Sequence, residues 1–205
     1  MAPSPRQMTP QTSHDFLDGY RRRLGEVLGS LDLGPVAEAV DRLYEAWKRG
    51  GTVLLAGNGG SAATASHFAT DLVHSTRVPG RPPFRAVSLN DNQALLTAIG
   101  NDLGYERVFA AQVESLATAG DVVVLISASG NSPNVVEAAR LARERGAEVI
   151  ALVAFSGGTL AELADVTVHV PTEHGEYGPA EDVHMTLDHM ISGALRERIL
   201  AGDGS

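Results

Sequence analysis

The segment Thr52–Leu72, TVLLAGNGGSAATASHFATDL, constrains this chain more than any other. Thr52–Ala56 reads as a buried strand, Gly57–Gly60 as a glycine turn, and a helix opens at Ser61. The glycines permit backbone angles that a side chain would forbid and let the main chain close on a ligand. The first N–H groups of the helix lack internal partners and lie at the positive end of its dipole. An anion placed there gains hydrogen bonds and electrostatic attraction together. Ser61 adds a hydroxyl donor, so this stretch predicts a pocket for a phosphate or carboxylate.

Projected at 100° per residue, Ser61–His74 separates into two faces. Ala62, Ala65, Ala69, Leu72 and Val73 form an apolar face expected to pack on a sheet. Thr64, His67, Asp71 and His74 form the opposite one, where His67 and Asp71 are neighbours four residues apart. Taken alone, that pair is an ordinary solvated helix face.

The rest of the chain repeats the strand–helix alternation. Runs at Arg85–Leu89, Asp121–Ile126 (DVVVLI), Glu148–Ala154 (EVIALVA) and Val166–Val170 read as strands, the longer ones apolar throughout, as in parallel sheets covered on both faces. Helices are expected at Ser13–Leu28, Pro35–Arg49, Tyr105–Leu116, Pro133–Arg145 and about Pro179–Leu200, with a helix or turn-rich segment at Asn90–Gly100 and a short turn-helix at Gly158–Leu163. The fold class is α/β: a three-layer, doubly wound, five-stranded parallel sheet with N-terminal helices. Residues 1–12, with three prolines and no periodicity, read as a disordered tail, and 13–200 as a single domain. The Arg21–Arg23 triplet suits a solvated helix face better than a phosphate contact.

The net charge of −9 argues against an electrostatic grip on nucleic acid, and the absence of cysteine excludes disulfides, thiolate metal sites and thiol nucleophiles. No apolar run reaches membrane-spanning length, and the N-terminal residues lack the apolar core of a signal peptide, so a cytoplasmic location is expected.

GNGGSA satisfies the dinucleotide fingerprint G-x-G-x-x-A, but the acidic residue such a site wants about twenty positions on is missing; the nearest, Asp91, lies further away. No nucleotide cofactor is expected. The loop Ser127–Ser132 (SASGNS) follows a strand and precedes a helix beginning at Pro133. Ser132 alone would suffice as a cap; three hydroxyls beside a free helix N-terminus suit a phosphate monoester. In the last helix, Val183, Leu187, Met190, Ile191, Ala194 and Leu195 are expected to face the core. Glu181, Met185, His189 and Ser192 lie on the other side, with Asp188 at its edge. Two helices thus each carry a histidine and a carboxylate, a set that suits Zn²⁺ or a similar divalent ion, or an acid–base pair.

Strand–GNGGSA–helix, SxSGNS after the next long strand, LTAIGND (Leu96–Asp102), SGNSPNV (Ser129–Val135) and a C-terminal helix with spaced acid and histidine resemble the SIS (sugar isomerase) family, specifically the phosphoheptose isomerases. The resemblance runs from about Ser13 to Leu200. It implies phosphate contacts at Ser61, Ser127, Ser129 and Ser132, with Asn58 nearby, and a substrate-binding set that also includes Gly59, Asn92 and Glu181. It implies His67, Asp71, Glu181 and His189 as metal or acid–base positions, with Asp71 as the catalytic base and His189 as the acid. Asp71 stands where the family has Glu, Glu181 where it has Gln, and Asn92 where it often has Asp; Glu173–Glu181 also departs from the family pattern. The implied reaction is aldose–ketose isomerisation of sedoheptulose 7-phosphate to D-glycero-D-manno-heptose 7-phosphate through an enediol, in a homotetramer with sites between subunits. The alternatives are an isomerase of another phosphosugar and a non-catalytic SIS module that binds phosphosugars or associates with a replication initiator. A pure binder has no need of the His67/Asp71/Glu181/His189 set.

Overall fold

The strands form where apolar runs can be covered from both sides: β1 (Thr52–Gly57), β2 (Arg85–Ser88), β3 (Val122–Ser127), β4 (Glu148–Ala154) and β5 (Val166–Val170). The structure is a computed structural model that describes residues 10–202. All four strand pairings are parallel, in the order β2-β1-β3-β4-β5. The helices are α1 (Pro10–Gly29), α2 (Leu33–Lys48), α3 (Gly60–His74), α4 (Gln93–Asp102), α5 (Ala110–Leu116), α6 (Pro133–Glu144), α7 (Gly158–Leu163) and α8 (Tyr177–Ala201). Alternate strand residues serve opposite faces. Val53, Leu55 and Val124 join a core closed by α1, α2, α3 and α8, whereas Leu54, Ala56 and Val123 join one closed by α4 to α7. These are the expected three layers.

The chain leaves β1 for β2 on one side and later builds β3, β4 and β5 on the other, so the winding reverses between β1 and β3. Loops at the carboxyl ends of two such strands diverge and leave a crevice between them, where ligands of open α/β sheets bind. Both singled-out loops, Gly57–Gly60 and Ser127–Ser132, open there.

Several local expectations are corrected. The helix expected from Ser13 already begins at Pro10; most of the expected tail, residues 1–9, lies outside the described residues. Tyr105–Leu116 is not one helix but a 3₁₀ turn, Tyr105–Arg107, followed by α5, with Val108 and Phe109 buried between them. In α3, Thr64 is buried and Val73 is exposed, the reverse of the helical projection. In α8, Met190 and Ala194 are exposed while Asp188 and Ser192 are buried. The Arg21–Arg23 triplet needs no correction: Arg21 and Arg22 are exposed and pair with Asp18, and Arg23 pairs with Glu176, just ahead of α8.

The buried face of α8 also carries His184, fully shielded from solvent. Neither ring nitrogen reaches full hydrogen-bond geometry, and a contact with the Val153 backbone offsets only part of the cost of burial. Burial, aided by the charge of His169, drives its pKa down from 6.5 to about 4. The unfolded chain therefore binds this proton more readily than the folded one between those values. Stability from this residue is complete above the unfolded pKa and falls as pH drops from 6.5 toward 4, by at most about 3 kcal/mol. Urea unfolding of wild type and His184→Gln across that window, in chelator, tests this: the variant's stability should slope less steeply, and parallel curves would refute it.

Candidate active site

A cavity of about 160 Å³ opens in the β1/β3 crevice, lined by Asn58, Ser61, Ser127, Ser129, Ser132, Tyr177 and Glu181 among others. Its hydroxyls are arranged to donate. Ser127 Oγ accepts the Gly130 N–H at 3.2 Å, and Ser129 Oγ accepts the Asn131 N–H at 3.3 Å. Each serine oxygen is thus held by a backbone donor, leaving its own proton for an acceptor in the cavity. Ser132 occupies the N-cap position of α6, but its side chain makes no capping bond. Its hydroxyl also lines the cavity.

The two turns are joined. Asn58 Nδ2 donates to Asn134 Oδ1 at 2.8 Å, and Asn134 Nδ2 returns a bond to Asn58 Oδ1 at 2.8 Å. Tyr105 donates to the same Asn58 oxygen at 3.2 Å. Asn58 therefore lines the cavity with its amide already engaged. Gly130 has φ +63°, and a Cβ there would lie 1.8 Å from the Gly157 carbonyl oxygen, so the serine loop can pass only as glycine at this point.

Farther along the same two helices, α3 and α8 bring four donors together. His67 Nε2 and His189 Nε2 are 3.1 Å apart. Asp71 Oδ2 lies 3.6 Å from His67 Nε2 and 3.9 Å from His189 Nε2, and Asp188 Oδ2 lies 3.8 Å from His67 Nε2. One ligand atom from each residue falls within 4.8 Å of the others, a grouping able to hold a metal ion. Ser75 Oγ donates to Asp71 Oδ1 at 2.8 Å, which turns Oδ2 toward the imidazoles. Burial, and then the Asp71 carboxylate, push Asp188 up to about 6.

The structure thus unites His67, Asp71 and His189, as the resemblance implied, but the fourth member within one chain is Asp188 and not Glu181. Glu181 turns to the serine cavity, and its carboxylate lies so close to Gly60 that a Cβ there would be 2.2 Å from Oε2. That position is the positive end of α3. Gly59 serves as the N-cap backbone of α3, its carbonyl accepting the Ala62 and Ala63 N–H groups. Asn92 is not brought to the cavity: it caps α4 through the Leu95 N–H and lines a separate groove beside β2. Sequence reasoning had set Asp188 only at a helix edge. Its spacing was the available signal, since a core-facing run through Val183, Leu187 and Ile191 carries residue 188 with it.

The SIS domain family matches residues 15–154. A phosphoheptose isomerase of Citrifermentans bemidjiense is 43% identical over 169 residues, covering 81% of this chain and 86% of that one. The structure of a phosphoheptose isomerase from Neisseria gonorrhoeae superposes with a TM-score of 0.79 at 35% identity, covering 92% of this chain and 98% of that chain. One from Francisella tularensis gives 0.84 at 29% identity, covering 93% and 100%. The crevice, the serine turns and the paired histidines thus occur in a chain that belongs to the SIS domain family and, within it, to the phosphoheptose isomerases.

Proposed function

We propose that the protein interconverts sedoheptulose 7-phosphate and D-glycero-D-manno-heptose 7-phosphate. One observation carries this reading: the serine cavity and the histidine–carboxylate cluster lie on the same two helices. Ser61 and His67 are six residues apart on α3, and Glu181 and His189 eight apart on α8, or about 9 and 12 Å along the axes. A sugar phosphate gripped at its phosphoryl end can therefore reach the cluster with the far end of its carbon chain. Binding energy gathered at the phosphate then fixes the reacting carbons.

In the ketose-to-aldose direction, Asp71 takes a proton from C1 while His189 gives one to the C2 carbonyl oxygen, leaving an enediol. The C1 hydroxyl then gives its proton to His189 as the C1 carbonyl forms, which restores the acid, and Asp71 returns a proton to C2. His67, 3.1 Å from His189, holds that imidazole in place. The donor set fits a divalent ion, because a buried Asp188 oxygen without a hydrogen-bond partner and two imidazole nitrogens converge on one point. In place of the His189 proton, Zn²⁺ held by His67, Asp71 and His189 would supply the positive charge at the carbonyl and hydroxyl oxygens.

We also assign a homotetramer whose sites are completed by neighbouring copies. Phe16 and Leu17 on α1, Val73 and Val87 in the groove beside β2, and Leu95 on α4 are exposed apolar side chains that support it. Among the described residues no helix is long and apolar enough to cross a membrane. A cytoplasmic setting follows from the substrate, whose charged phosphate keeps it in the compartment where it is made.

Purified protein incubated with sedoheptulose 7-phosphate in D₂O should give an aldose heptose 7-phosphate carrying deuterium at C2, followed by NMR with and without chelator. Absence of both aldose and deuterium would overturn the assignment. Light scattering on the same sample should give the mass of four chains.

A further inference from the structure

The side chain of Asp188 is fully buried, yet Oδ2 has no hydrogen-bond partner. Its other oxygen accepts from Ser192 Oγ at 3.1 Å, which settles the carboxylate's orientation. A buried carboxylate oxygen left bare is strongly unfavourable unless a positive charge compensates it. No Lys or Arg is paired with it among the described residues; what faces Oδ2 is His67 Nε2 at 3.8 Å, with Asp71 and His189 beyond. Two carboxylates turned toward each other repel unless something cationic stands between them.

The two imidazoles point the same way. Nε2 atoms 3.1 Å apart sit well either as a single hydrogen bond or as two ligands of one ion. Only the second also explains the bare oxygen of Asp188. Four ligand atoms held about 2.0–2.2 Å from one tetrahedral ion are roughly 3.3–3.6 Å from each other. Four of the six separations, from 3.1 to 3.9 Å, bracket that spacing, and all six lie within 4.8 Å.

We propose that Asp188 is a direct ligand of a divalent cation in this chain, completing a site of two imidazoles and two carboxylates with His67, Asp71 and His189. The proposal rests on the divalent-ion reading above and extends it to a residue outside the set implied by the family resemblance. Asp188 reaches the ion from the buried side, so the exposed side of the cluster stays open to sugar oxygens. In the metal-free protein the same carboxylate is a liability that the ion relieves.

The test compares full-length wild type with Asp188→Asn after chelator treatment. Calorimetric titration with Zn²⁺ and with Co²⁺ should show affinity at least 10-fold weaker in the variant. The visible spectrum of the Co²⁺ protein should also shift, a change that altered packing alone does not produce. Without metal, Asp188→Asn should melt at or above the wild-type temperature, with unchanged circular dichroism, and should lose most of the melting-temperature gain that Zn²⁺ gives wild type. Equal affinity and an identical Co²⁺ spectrum in the two proteins would remove Asp188 from the site while leaving the divalent-ion reading intact. Wild type that takes up neither ion would overturn both, whereas isomerase activity, measured separately, would stand or fall by itself.

Discussion

His189→Ala should lower kcat for sedoheptulose 7-phosphate by about 10²–10⁴-fold, the range carried by a positioned acid–base group. His189 has the geometry for that role: its side chain is 57% exposed toward the open side of the cluster, and its Nε2 lies within 4 Å of both His67 and Asp71. KM should change little, because the serine donors sit at the other end of α3 and α8 and on the loop after β3. This split separates loss of chemistry from loss of binding. Titration of the variant with substrate, read by quenched-product NMR and by binding calorimetry, provides both numbers. A kcat within threefold of wild type would exclude His189 from the mechanism.

Gly130→Ala should be the most damaging single methyl group in the site. Gly130 has φ +63°, and the added Cβ would lie 1.8 Å from the carbonyl oxygen of Gly157 and 2.6 Å from its carbon. Neither neighbour is a flexible side chain that could swing away. Gly130 also accepts the Leu160 N–H at 2.9 Å, which ties the serine loop to α7. The positive φ alone is worth about 1–3 kcal/mol of strain, and displacing the Gly157 backbone adds to it, for a loss of about 3 kcal/mol or more. Because Ser127 Oγ is held by the Gly130 N–H, the phosphate donors should move too. A lower urea midpoint together with at least a 10-fold rise in KM is expected. A variant with wild-type midpoint and KM would show that the loop has slack that its contacts do not reveal.

Much of this architecture was legible in the sequence because strands buried on both faces leave little ambiguity. DVVVLI and EVIALVA have no polar side to mislead, and both formed within a residue of expectation. The glycine turn and the serine loop were legible because their chemistry is local to the chain. Helix faces were less so. The projection assumed that apolar residues go inward, but the interior takes Thr64 from α3 and His184, Asp188 and Ser192 from α8, leaving Val73 and Met190 outside. Those polar residues are inside for reasons that lie in another element, such as the facing imidazole of His67 for Asp188. Glu181 shows the same limit. Its spacing from His189 aligned the two side chains on one side of a helix, but only the position of α3 decides that a carboxylate there meets Gly60 and the cavity instead.

The mutual amide bonds between Asn58 and Asn134 bear on how quickly the protein can capture its substrate. They staple the turn after β1 to the first turn of α6. An arriving phosphoryl group meets donors already at working separation, so little of the contact energy is consumed in ordering loops. Capture should then be limited by encounter and not by a preceding rearrangement.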